Sequence, residues 1–217
     1  KIAGNDGSTT TTWISGDSDG LLTITGGEVI PGKKEGTNFT RSLLVGHATH
    51  GTLNAATDNT GVGINAMVSL TSGDFNTGLG SYALSTVSTG LNNSAIGYQS
   101  QRNTTSGQGN TSFGTFTLYA NGNGNHNTAI GRNALITNNL GDFNTALGYE
   151  SGRAVAGNDA NYNLTLGSYA GDNITSGAGN VIIGSVDADS ATGDRQLKIA
   201  GNDGSTSTTW LSGDSSG

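Results

Sequence analysis

Residues 127–135 read NTAIGRNAL, and residues 144–152 read NTALGYESG. The second stretch begins 17 residues after the first. Working outward in steps of 17, the same five-residue opening recurs as SLLVG from Ser42, NTGVG, NTGLG, NSAIG, NTSFG, NTAIG, NTALG, NLTLG, NVIIG and LKIAG, with one step of 19 between Asn144 and Asn163. Column one holds Asn59, Asn76, Asn93, Asn110, Asn127, Asn144, Asn163 and Asn180. Column five holds Gly46, Gly63, Gly80, Gly97, Gly114, Gly131, Gly148, Gly167, Gly184 and, with LKIAG taken as a row, Gly201. Column four is apolar throughout: Val45, Val62, Leu79, Ile96, Phe113, Ile130, Leu147, Leu166 and Ile183. Column eight is small, and a second Gly recurs at column fifteen.

A period of 17 is too short for a helical-hairpin repeat, and two fixed Gly columns would break a helix in every row. A run such as NTAIG suits a short strand ended by Gly where the chain turns. The expected fold is all-β, a β-solenoid whose coils stack about 4.8 Å apart. Strand alternation puts columns two and four on one face and columns one, three and five on the other. Column four is apolar, so it is expected to form the inward core, with the Thr of column two beside it. The Asn of column one are expected to stack as an amide ladder between coils.

Such a core is thin against the ordering entropy of each coil. The small residues of columns three and eight therefore suggest a face on which a second copy packs, as in a symmetric homo-oligomer. The rows NTAIGRNAL, NTALGYESG and NSAIGYQS resemble the head repeats of trimeric autotransporter adhesins of the YadA-like kind. They also resemble the N-T-A-[IL]-G-x-x-A-L repeats of phage tail fibres. The resemblance covers about Ser42 to Gly184, and it implies a left-handed parallel β-roll with three chains around one axis. The period of 17 is longer than the coil of the adhesin heads. The segment TTWISGDSDG also resembles tail-fibre sequence. The function so implied is a rigid homotrimeric shaft for attachment, as in a phage tail fibre that adheres to a host. The alternative is a trimeric adhesin or filament of a bacterial cell surface. Both are extracellular and both engage a host glycan or protein.

The flanks carry a larger repeat. Residues 1–20 and 198–217 match at all but three positions, 197 residues apart. This points to tandem units along a fibre, with the chain a piece of it. The Thr-rich TTTTWIS, a Gly/Asp/Ser turn and LLTITGG suggest a β-hairpin. The expected organisation is a flanking hairpin over 1–25, a connector over 26–41, the roll over 42–197, and the start of a second flanking copy over 198–217.

Composition bounds the chemistry. The chain has 37 Gly, no Cys and 32% apolar residues, with a net charge of −7. No apolar run is long enough to span a membrane, and scattered Lys and Arg on an acidic chain argue against nucleic acid. Acids fall in turns, and no adjacent rows stack them in one inward column, so no catalytic carboxylate pair is expected. No cofactor is implied. His126 is a candidate for an ion only if a three-fold axis brings three copies together. The Ca²⁺ nonapeptide pattern is missing. An inward Thr column argues against the flat Thr arrays of ice-binding solenoids. Aromatics at columns six and seven (Tyr82, Tyr98, Phe116, Tyr149, Tyr169) are expected either to be exposed for a partner or to cover strand edges.

Overall fold

A computed structural model describes residues 2–5, 10–16, 22–24, 32–36, 39–45, 54–156 and 160–214. Every element among them is a strand, and no helix occurs. The chain divides into two units, Lys1–Pro31 and Gly32–Gly217.

The first unit is a three-stranded antiparallel sheet of β1 (Ile2–Asn5), β2 (Thr10–Gly16) and β3 (Leu22–Ile24). Ile14 pairs with Ile24 and Gly16 with Leu22, while Asn5 pairs with Thr10.

The second unit is the β-solenoid of 17-residue coils. It opens with β4 (Gly32–Gly36), antiparallel to β5 (Phe39–Val45). The segment expected to be a connector therefore contributes a strand to the same sheet. The short β6 (Ala56–Thr57) pairs with β5. One three-residue strand then follows per coil: β7 (Thr60–Val62), β8 (Thr77–Leu79), β9 (Ser94–Ile96), β10 (Thr111–Phe113), β11 (Thr128–Ile130), β12 (Thr145–Leu147), β13 (Leu164–Leu166) and β14 (Val181–Ile183). All pair parallel and in register, column on column, as in Thr111 with Thr128 and Phe113 with Ile130. The sheet ends in β15 (Leu197–Asn202), parallel to β14, and β16 (Ser207–Gly213), antiparallel to β15. The Asp203 carboxylate holds the last turn, accepting the N–H groups of Ser205 and Thr206 at 2.9 and 2.8 Å. Those bonds keep it ionised well below the usual carboxylate range.

Column one runs through the molecule as a ladder. The Asn76 Nδ2 donates to Asn59 Oδ1 at 3.1 Å, and the Asn76 backbone N–H donates to the same oxygen at 3.0 Å. The backbone bond recurs to Asn180, crossing the 19-residue step from Asn144 to Asn163 at 3.0 Å. Six of these amides also donate to the column-fifteen Gly carbonyl of their own row, as Asn93 does to Gly107 at 2.8 Å, while Asn144 donates to Ala160 at 2.7 Å. The two columns seen in the sequence are thus one device. Close approach explains Gly at column fifteen: a Cβ on Gly90 would lie 2.6 Å from the Gly107 carbonyl oxygen. At column five, Gly167 has φ +132°, and a Cβ there would lie 2.9 Å from the Gly184 carbonyl. No L side chain combines that torsion with that clearance.

The strand faces are the reverse of the sequence expectation. The Asn of column one are buried, as are the column-three residues Ala95, Ser112, Ala129, Ala146, Thr165 and Ile182. Column four lies on the outside of the coil: Val62, Leu79, Phe113, Ile130, Leu147 and Leu166 are 37–56% exposed, and Val45, Ile96 and Ile183 are intermediate. The reason is satisfaction of hydrogen bonds. A buried amide with partners above, below and across the coil outweighs the burial of one aliphatic side chain, and strand alternation carries column four outward with that choice.

The core is built instead from the far side of the coil. Column eight (Ala66, Ala83, Ala134, Ala170), column nine (Met67, Leu84, Leu118, Leu135) and column twelve (Leu70, Val87, Val155, Ile174) are buried. The small columns three and eight therefore fill the coil's own interior and present no face to a partner. Columns nine and twelve thus form the apolar core. Two apolar clusters result, one from Leu44 to Ala95 and one from Leu118 to Ala200. The coil with Gln101 and Thr104 lies between them.

The last row also shifts. Gln196, not Leu197, takes the ladder position: its N–H and Nε2 donate to Asn180 Oδ1 at 2.8 and 3.1 Å. Leu197 is then column two, Ala200 is column five, and Gly201 lies outside the Gly column, beneath the Trp210 indole. Gly46 lies outside the described residues.

Candidate functional site

Among the described residues the candidate surfaces are the outward columns. The first is the strand face. Column four forms an apolar stripe with one side chain per coil, flanked by column two, where Thr60, Thr77, Thr111 and Thr145 are exposed. The Thr column points outward, so the alternation argument against an ice-binding face does not hold. Leu, Ile and Phe beside it make the face apolar and uneven, unlike a paired array of hydroxyls.

The second surface gathers the aromatics of columns six and seven with column ten. Tyr82, Tyr98, Phe116 and Tyr119 meet edge to face at 5.4–6.5 Å between centroids. The Arg102 guanidinium lies 5.2 Å from the Tyr82 ring centre and 6.0 Å from that of Tyr119. Tyr149 meets Tyr169 at 5.2 Å, and Arg132 lies 5.7 Å from the Tyr149 ring centre. Tyr149 hydrogen-bonds Glu150, which raises the phenol pKa and lowers that of the carboxyl. Neighbouring coils thus use these rings against one another, while Tyr98 and Tyr169 stay 45% and 44% exposed.

The third surface is column seventeen, whose stacking the sequence reading missed. His126, Phe143 and Tyr162 stack face to face at 5.0 Å, with interplanar angles of 17° and 1°. The signal was available: each residue directly precedes a column-one Asn. His126 is here a stacked ring. Among the described residues no three His, Cys, Asp or Glu gather in a way that could hold a metal. His47 and His50 lie outside the described residues.

The turn acids have structural work. Asp74 Oδ1 accepts the Thr57 N–H at 2.7 Å, and Asp142 Oδ1 accepts the Asn125 N–H at 2.6 Å. Asp172 differs. Partial burial and a hydrogen bond with Asp187 raise its pKa to about 6.

No family profile, curated protein or solved structure matches this chain.

Proposed function

We propose that the chain is a stiff segment of an extracellular attachment fibre, a homotrimeric shaft of the phage tail-fibre kind, in which three copies cover their column-four stripes around a common axis. The observation that carries this reading is the stripe itself. Eight apolar side chains from Val62 to Ile183 lie in line, one per coil, on the outside of the single chain. Aligned exposure on that scale marks a surface that another chain covers. Covering what remains exposed of each side chain would contribute roughly 1 kcal/mol. One coil alone would not overcome an association cost of about 4–15 kcal/mol, whereas eight coils in line reach that range. The number three and a left-handed sense come from the resemblance to adhesin heads and tail-fibre repeats. This reading moves the axis-facing surface from the small columns to column four.

Light scattering on the purified chain tests it. The expected mass is three times 21.7 kDa, falling to 21.7 kDa in the double variant Ile130→Glu, Leu147→Glu with its β circular dichroism retained. A β-rich wild-type monomer would overturn the trimeric shaft.

A further inference from the structure

We infer that the outer edge of the rod carries a binding notch for a pyranose ring, on the open face of Tyr162 at the level of Gly179. Column seventeen places one residue per coil, each tied by its backbone N–H to the coil before: Tyr162 to Asp142, Gly179 to Asn161, and Arg195 to Ala178, at 2.8–3.1 Å. His126, Phe143 and Tyr162 fill successive levels with rings 5.0 Å apart. At the next level the stack stops. Gly179 has no side chain, and a Cβ there would meet only the Arg195 Cγ, at 3.5 Å. Column sixteen is also short at this level, because its residue is Ala178.

The Arg195 stem forms the far wall of this gap, its Cγ leaning toward Gly179. Tyr162 and Arg195 are two coil steps apart, or about 10 Å. A guest at the middle level therefore meets the Tyr162 face at the separation the rings already keep from one another. Tyr162 is 64% exposed, against 47% for Phe143.

The rim sets the class of guest. Asp194 and Arg195 are exposed on one side, and Asn161 flanks Tyr162 on the other. Asp194 spends one oxygen on the Ala178 N–H at 2.8 Å, and Asn161 spends its oxygen on the Asp142 N–H at 2.6 Å. A carboxylate, a guanidinium and an amide supply acceptors and donors of no net charge. A neutral hexose matches this pattern, with a C–H face for the aromatic ring and hydroxyls at its edge. A bare aromatic guest would leave the polar rim unused.

The notch belongs to the single chain, so it stands or falls apart from the oligomeric mass. Saturation-transfer NMR on the whole chain tests it, with methyl β-D-glucopyranoside, methyl β-D-galactopyranoside and methyl α-D-mannopyranoside as probes and phenol as control. The blocking variant is Gly179→Tyr. It is compatible with the fold, because Tyr162 holds the same column at φ +58° and Gly179 has φ +68°. Transfer to the C–H protons of at least one glycoside is expected, reduced at least tenfold in Gly179→Tyr and in Tyr162→Ala. No transfer to any glycoside overturns the proposal. So does transfer undiminished in Gly179→Tyr, or transfer to phenol alone.

Discussion

At the scale of single residues, stability rests on side chains that serve two coils at once. Asn127 donates from Nδ2 to the Gly141 carbonyl at 2.8 Å, and its Oδ1 accepts the Asn144 N–H at 2.9 Å. Asn127→Ala leaves both buried groups without these bonds, at about 1–3 kcal/mol each. The expected loss is roughly 2–6 kcal/mol, read from denaturant unfolding followed by circular dichroism. Asp172 makes a prediction in pH. Its folded pKa, about 6, lies above the ordinary 3.8. The folded state therefore holds the proton more tightly than the unfolded chain does. The relative stabilisation is complete below the unfolded value and is lost as pH rises through about 6. Melting temperature should rise between pH 7 and pH 4.5, and Asp172→Asn should flatten that part of the profile. The Asn column was legible because an amide in every row has few other uses. Its direction was not, because the sequence does not say whether an amide or an aliphatic residue wins the interior of so narrow a coil.

At the scale of the strand and its turn, the missing knowledge was backbone sign. After the column-five Gly of seven coils, from Gly63 to Gly167, the chain enters left-handed torsions at columns seven and nine: Tyr82 and Leu84 at φ +60° and +51°, Phe116 and Leu118 at +56° and +48°. Non-Gly residues seldom adopt these torsions. Tyr, Phe and Leu gave no hint of a turn that swings column nine into the core. In the first unit, β2 and β3 pair antiparallel. The coil between the two apolar clusters offers a further test. Gln101 Nε2 donates to the Ser112 hydroxyl at 2.8 Å, while Gln101 Oε1 and Thr104 Oγ1 are buried without a partner. Their columns hold Leu84 and Leu118, and Val87, in other coils. Gln101→Leu with Thr104→Val should join the clusters and stabilise the chain by about 1–3 kcal/mol, seen as a higher denaturation midpoint.

At the scale of the molecule, each coil of the roll touches mainly its neighbours, so stability accumulates along one dimension. Removal of residues 110–126, one whole period, brings Gly109 onto Asn127 with every column in phase. That deletion should keep the β spectrum and a cooperative melt. Removal of residues 110–118 sets the columns nine places out of phase, and the coils beyond it should lose both. The period of 17 made the solenoid legible, because nine agreeing rows from Ser42 to Asn180 admit few other folds. The outward direction of column four was not legible, because a stripe on the outside of one chain and a stripe inside it have the same spacing.

The uneven steps of the ladder have a consequence for the proposed trimer. Along a lattice of identical coils, a copy displaced by one coil finds the same stripe again, and many alignments compete at nearly equal energy. This lattice carries two phase marks: the step of 19 from Asn144 to Asn163 and the step of 16 from Asn180 to Gln196. In the proposed trimer, a displaced copy would set the long coil against an ordinary one at the first mark and the short coil against an ordinary one at the second. Like a vernier, the pair of defects singles out zero offset, which a perfect repeat would leave undetermined.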